Sequence, residues 1–151
     1  MKKVKKVKKV KIFYIVKNIN KVPSCQYNIL MLKSMGYEVI AILGESTVAI
    51  DERLNESNIY SIKFEKKHNN YLRFFFEFRR FVCNYIKHTA MQEDIIFFGT
   101  ADTAICLVNT LKKRKKVVCI KELYDHDKWY YKQLLKKICK NSTAVVACEK
   151  N

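Results

Sequence analysis

Lys11-Ile12-Phe13-Tyr14-Ile15-Val16-Lys17 sets five β-branched or aromatic residues in a row between two lysines. A strand with one wet face alternates apolar with polar residues, whereas a strand covered on both faces reads as an unbroken apolar run. This stretch therefore predicts a strand at the centre of a sheet that carries helices on both sides. Comparable runs recur at 37–43 (YEVIAIL, closed by Gly44), 94–99 (DIIFFG), 117–120 (VVCI) and 142–148 (STAVVAC), with a weaker alternation over 58–64.

Helical signals fill the intervals. Pro23 suits a first helical turn, Ile29, Leu30, Leu32 and Met35 continue at helical spacing, and Gly36 stops the helix. The strongest signal is Tyr71, Phe74, Phe75, Phe78, Phe81, Val82 and Tyr85, a wide apolar stripe, with Arg73, Glu77, Arg79, Arg80 and Lys87 mostly opposite. Thr100-Ala-Asp-Thr103 opens a further helix that runs through Ile105 and Val108 to Leu111. A basic turn follows at 112–116, and the last helix covers about 128–140. Residues 45–57 are polar and acidic and are assigned no element. Strands alternating with helices give an α/β, doubly wound, mostly parallel, Rossmann-like sheet. Ligands of such sheets sit at the carboxyl ends of the strands where strand order reverses.

With 151 residues the chain fits one domain. Residues 1–11 form a basic leader and 12–151 the folded unit. The formal charge of +16 favours anionic partners, although the leader supplies seven lysines and no acid, nearly half of that excess. The leader either rests on anionic lipid or serves as a solubilising tail. It has no apolar segment behind it to make a secretory signal, so the expected compartment is cytoplasmic, with peripheral contact on the inner face of the membrane. Six cysteines in that setting are expected to be reduced and mostly buried, and no C-x-x-C or Cys/His spacing predicts a metal site.

Three loops carry the candidate chemistry. The first, 18–24, has no glycine, which excludes a dinucleotide fingerprint and a P-loop; Asn18 is its candidate ligand contact. In the second, Gly99, Thr100 and Asp102 either bind ligand hydroxyls or simply cap the following helix. In the third, Glu122, Asp125 and His126 lie in an acidic loop that is either a site or a solvated helix start. A His beside carboxylates can titrate in a useful range, which makes Glu122 and His126 the catalytic candidates. His68 and His88 read as surface residues, and Trp129, Tyr130 and Tyr131 as helix packing.

The segment order resembles the N-terminal domain of GT-B-fold, retaining, nucleotide-sugar-dependent glycosyltransferases of the "glycosyl transferases group 1" and family-four type. The resemblance rests on the helix end Leu32-Lys-Ser-Met-Gly36-Tyr-Glu-Val39 and on Glu93-Asp94-Ile-Ile with its Gly/Thr/Asp loop. It extends to Val117-Val-Cys-Ile-Lys-Glu122-Leu-Tyr and to the closing stretch Leu135 to Cys148-Glu. It implies an incomplete N-terminal half of a GT-B fold that binds the acceptor through Asn18, Gly99, Thr100, Asp102, Glu122 and Asp125. The nucleotide sugar, as co-substrate rather than resident cofactor, is then held by a C-terminal donor domain that 1–151 lacks or that a partner subunit supplies. The implied work is surface polysaccharide or glycolipid synthesis on a sugar or lipid-linked acceptor. The alternative reading is a non-enzymatic basic module for nucleic acid or anionic membrane; no recognisable nucleic-acid motif accompanies the basic stretches.

Overall fold

A computed structural model describes residues 9–45, 48–57, 59–65, 69–121 and 128–147. The elements are β1 (Lys11–Val16), α1 (Ser24–Ser34), β2 (Glu38–Gly44), α2 (Val48–Glu56), β3 (Tyr60–Phe64) and α3 (Tyr71–Thr89). They continue with β4 (Ile95–Phe98), α4 (Ala101–Leu107), β5 (Lys115–Ile120), α5 (Trp129–Asn141) and β6 (Ala144–Ala147). The six strands form one sheet in the order β3-β2-β1-β4-β5-β6, every neighbouring pair parallel. The fold is α/β and doubly wound, as expected for a Rossmann-like domain.

Two apolar layers hold it. On one face, Tyr14, Val16, Val39, Ala41 and Leu43 of β1 and β2 bury against Cys25 and Ile29 of α1 and Leu54 of α2. On the other, Phe13, Ile15, Ile40, Ile42, Ile96, Phe98 and Val118 meet α3, α4 and Ile138 of α5. The continuous apolar run of β1 is thus consumed by both layers at once, and the four residues Phe13 to Val16 are fully buried.

α3 contributes Phe74, Phe78, Val82 and Ile86 at every fourth position. Asn70 caps its start, accepting from the amides of Leu72 and Arg73 at 3.0 and 3.2 Å. Phe64 of β3 packs against Phe74, Phe78 and Phe81 at centroid separations of 5.1–5.8 Å.

Several sequence expectations change. Residues 48–56 form α2, in which Leu54 is fully buried against the sheet. α4 stops at Leu107 rather than Leu111, and the basic turn yields its last two lysines to β5. Lys116 lies there with 6% exposure, donating from Nζ to the carbonyl of Val108 at 3.1 Å, and burial lowers its pKa. β6 is exposed along its whole length, so coverage on both faces does not reach this edge strand. Trp129 and Tyr130 are exposed too; the first turn of α5 packs its aromatics on one another, and the helix buries only Ile138.

Of the described cysteines, Cys25, Cys106 and Cys119 are buried, Cys83 is partly buried and Cys139 exposed, all as free thiols. Burial pushes the Cys106 thiol up to about 12, which leaves it unreactive. His88 is exposed, whereas His68 lies outside the described residues. Among the described residues no helix is long and apolar enough to cross a membrane.

The α3 pattern generates a contrast. Phe78→Ala should cost about 3–5 kcal/mol by opening the layer between sheet and helix. Phe76→Ala, on the solvent side of the same helix, should stay within about 0.5 kcal/mol. Urea unfolding of the two variants measures both.

Candidate functional site

Strand order reverses between β1 and β4, whose connections leave toward opposite faces of the sheet. Their ladder ends at the Ile15 carbonyl, which accepts from the Gly99 amide at 2.9 Å. Beyond that point the chains part, and the amide of Lys17 has no strand partner on this side. The hydroxyl of Thr103, in the first turn of α4, accepts from it at 2.9 Å.

From Thr103 the polar contacts run in a ring. The hydroxyls of Thr103 and Thr100 lie 2.7 Å apart, and the hydroxyl of Thr100 donates to Oδ1 of Asp102 at 2.5 Å. Oδ2 of Asp102 pairs with the Lys17 ammonium at 2.9 Å, which returns the ring to its starting residue. An ionised carboxylate only accepts, so Thr100 donates to Asp102 and Thr103 donates to Thr100. The Lys17 ammonium also donates to the Tyr71 hydroxyl at 2.8 Å and lies 4.9 Å from the centre of that ring.

Burial decides what these groups can do. The Lys17 side chain is only 5% exposed, against 39% for Asp102. Burial alone would lower the pKa of Lys17, but the hydrogen bonds to Tyr71 and Asp102 and the charge of Asp102 outweigh it and hold the ammonium above its usual range. Burial would likewise raise Asp102; the bonds from Thr100 and Lys17, the lysine charge and the amide of Thr103 hold it below the usual carboxylate range. Both groups stay charged near neutrality, and Asp102 is therefore a weak base and a strong hydrogen-bond acceptor. Tyr71 accepts from the lysine, which leaves its own O–H to donate outward, and the ring is 58% exposed.

Glycines bring the backbone close to this centre. A Cβ on Gly44 would lie 2.2 Å from the carbonyl oxygen of Lys17, so β2 can pass only as glycine. A Cβ on Gly99 would come within 2.8 Å of Tyr14 Cε1 and Val16 Cγ2. Gly99 is thus required by packing against β1 rather than by the approach of a ligand. The Cys25 thiol donates to the Gly99 carbonyl at 3.4 Å, and Lys121, at the end of β5, donates to Ser24 of α1 at 3.0 Å.

Of the residues expected from sequence, Thr100 and Asp102 stand together in the ring with Gly99 beneath them. Asn18 is engaged by its own loop and by Glu45. Its amide nitrogen donates to Glu45 and its oxygen accepts from the Lys21 amide at 3.1 Å, so it serves the loop. Glu122, Asp125 and His126 lie outside the described residues. Thr103, from the same stretch of sequence as Thr100 and Asp102, joins them in the ring, and Lys17 and Tyr71 complete the site without having been named for it. Lys17 had one legible mark, a charge directly following the most buried run in the chain. Tyr71 was hidden by its three-residue spacing from Phe74, which made it read as core.

No cluster of three His, Cys, Asp or Glu suited to a metal ion occurs among the described residues. No family model matches the sequence, and no curated protein matches it.

The pair should respond unequally to mutation. Asp102→Ala strands a buried ammonium and should cost about 2–3 kcal/mol, below the cost for a fully buried pair because Asp102 is partly wet. Lys17→Met, which replaces the buried charge by an apolar stem, should stay within about 1 kcal/mol. The contribution of Asp102, whose folded pKa is lowered, is present above 3.8 and lost as pH falls through the folded value. That of Lys17, whose folded pKa is raised, is present below 10.5 and lost as pH rises through the folded value. Urea midpoints across pH should show these two losses in wild type and neither in the double variant.

Proposed function

We propose that the chain is the acceptor-side, N-terminal half of a GT-B-type glycosyltransferase, with the Lys17–Asp102–Tyr71 cluster as its hydroxyl-binding centre. The observation that supports this reading is a partly exposed carboxylate, ionised near neutrality, at the strand-order reversal, flanked by threonine hydroxyls and a phenol. A carboxylate has about four acceptor positions, and Lys17, Thr100 and the Thr103 amide engage three, so Asp102 can still accept from a sugar hydroxyl. Tyr71 can donate to a ring or glycosidic oxygen. The loop after β1 has no glycine to cradle a pyrophosphate, which favours acceptor over donor.

In this reading Asp102 orients the acceptor. Proton removal falls to a group with an ordinary or raised pKa, for which Glu122 and His126 remain the candidates. The nucleotide sugar is a co-substrate bound mainly by a second, donor domain, in the same polypeptide or as a subunit. The acceptor is a sugar or lipid-linked sugar of surface polysaccharide or glycolipid synthesis at the cytoplasmic face. A second reading, a basic module for nucleic acid or anionic membrane, draws its support from the charge of +16.

Calorimetry separates acceptor from donor binding. Uridine and guanosine diphosphate sugars titrated into the chain should give no binding heat. Methylated mono- and disaccharides should include at least one ligand whose affinity falls about tenfold or more in Asp102→Asn, the loss of one charge-assisted hydrogen bond. Micromolar binding of a nucleotide sugar would contradict the acceptor assignment.

A further inference from the structure

The outward face of α3 combines exposed apolar side chains with basic ones. Leu72 and Phe76, one turn apart, are 66% and 60% exposed, while Phe74 and Phe78 between and after them are buried. Phe76, Arg79 and Arg80 line one shallow groove of about 510 Å³ that reaches Cys83 and Thr110. Lys87, a further two turns along, borders the adjoining groove with Lys112 and Arg114. Neither Arg79 nor Arg80 meets a carboxylate among the described residues, and the nearest acid on the helix, Glu77, is engaged by Arg73 at 3.0 Å. About 22 Å of helix from Leu72 to Lys87 thus carries apolar side chains at one end and unopposed cations along the rest.

We propose that this face docks on an anionic phospholipid surface, with Leu72 and Phe76 entering the boundary of the acyl chains and Arg79, Arg80 and Lys87 lying among the phosphates. Charge complementarity selects an anionic partner, and the apolar pair selects among anions. An aliphatic leucine gains nothing against a phosphodiester backbone and has no face on which a base could stack, whereas both side chains gain free energy at the acyl boundary. The placement also has a consequence at the crevice. Tyr71, which touches Lys17, directly precedes Leu72, so docking through α3 would bring the carboxyl edge of the sheet to the headgroups, within reach of a lipid-borne acceptor. The surface itself does not depend on the glycosyltransferase reading.

Because the lysines of residues 1–11 also attract anionic lipid, the test must read α3 itself. Phe76→Trp in a Trp129→Phe background, in the full chain, puts the only indole on this face. With vesicles of phosphatidylcholine and phosphatidylglycerol its emission should shift to the blue and be quenched by brominated acyl chains; pure phosphatidylcholine should do neither. Arg79→Gln with Arg80→Gln should weaken that binding about 30-fold, from about 1 kcal/mol per basic residue near such a surface. Vesicle binding without quenching would assign it to another basic part of the chain, such as the leader or α5, and overturn the proposal. A DNA or RNA duplex bound through Arg79 and Arg80, with affinity unchanged in Leu72→Ser/Phe76→Ser, would make the face a nucleic-acid interface and overturn it as well. Sugar binding plays no part in either readout, so this proposal and the acceptor assignment can fail separately.

Discussion

The ammonium of Lys17 sits where the sheet can no longer satisfy its own backbone. At the reversal between β1 and β4 the ladder stops, and the same residue presents an unpaired amide and a charged side chain to the gap. Thr103 takes the amide and Asp102 takes the charge, and because both belong to the first turn of α4, the residue directly after β1 fixes the position of that helix. Tyr71 then ties the start of α3 to the same point. Two helices and a strand converge on one buried cation, and the polar surface offered to a ligand is what remains exposed of its partners.

That arrangement explains why the crevice differs from a nucleotide site. A phosphate cradle needs glycine in the first loop and free amides at the following helix. Here the first loop is closed on itself by Asn18, and the amides of Cys25 and Gln26 are taken by the carbonyls of Val22 and Pro23. Among the described residues, the groups that the ring leaves to a ligand are hydroxyls and a carboxylate, the set on which the acceptor proposal rests.

The fold was legible because burial on both faces writes itself directly into composition: no other element produces five β-branched or aromatic residues in a row at 12–16. α2 was not, since its apolar residues Val48, Ala49 and Ile50 stand together at one end and only Leu54 follows them, which gives little periodicity to detect. β6 misled for a different reason. Val145 and Val146 have the composition of an interior strand, yet they stand at the edge, and composition carries no record of which strands have neighbours. In the site, Thr100 and Asp102 were readable as a cluster adjacent in sequence. Lys17 and Tyr71 reach it from 85 and 31 residues away in the numbering, and only the topology brings them together. Tyr71 also shows how a helical stripe conceals function: its spacing belongs to the core face, but its position in the first turn carries it past the sheet.

If the centre is organised as described, Lys17 must remain charged although its side chain is nearly buried. A titration of the Lys17 ammonium by nitrogen-detected nuclear magnetic resonance, assigned through Lys17→Arg, tests this directly. The expected pKa lies above the ordinary 10.5, because the partners of Lys17 outweigh its burial. A value below 10.5 would mean that desolvation dominates, that the ring around Asp102 does not hold, and that the crevice is not the preorganised centre described here.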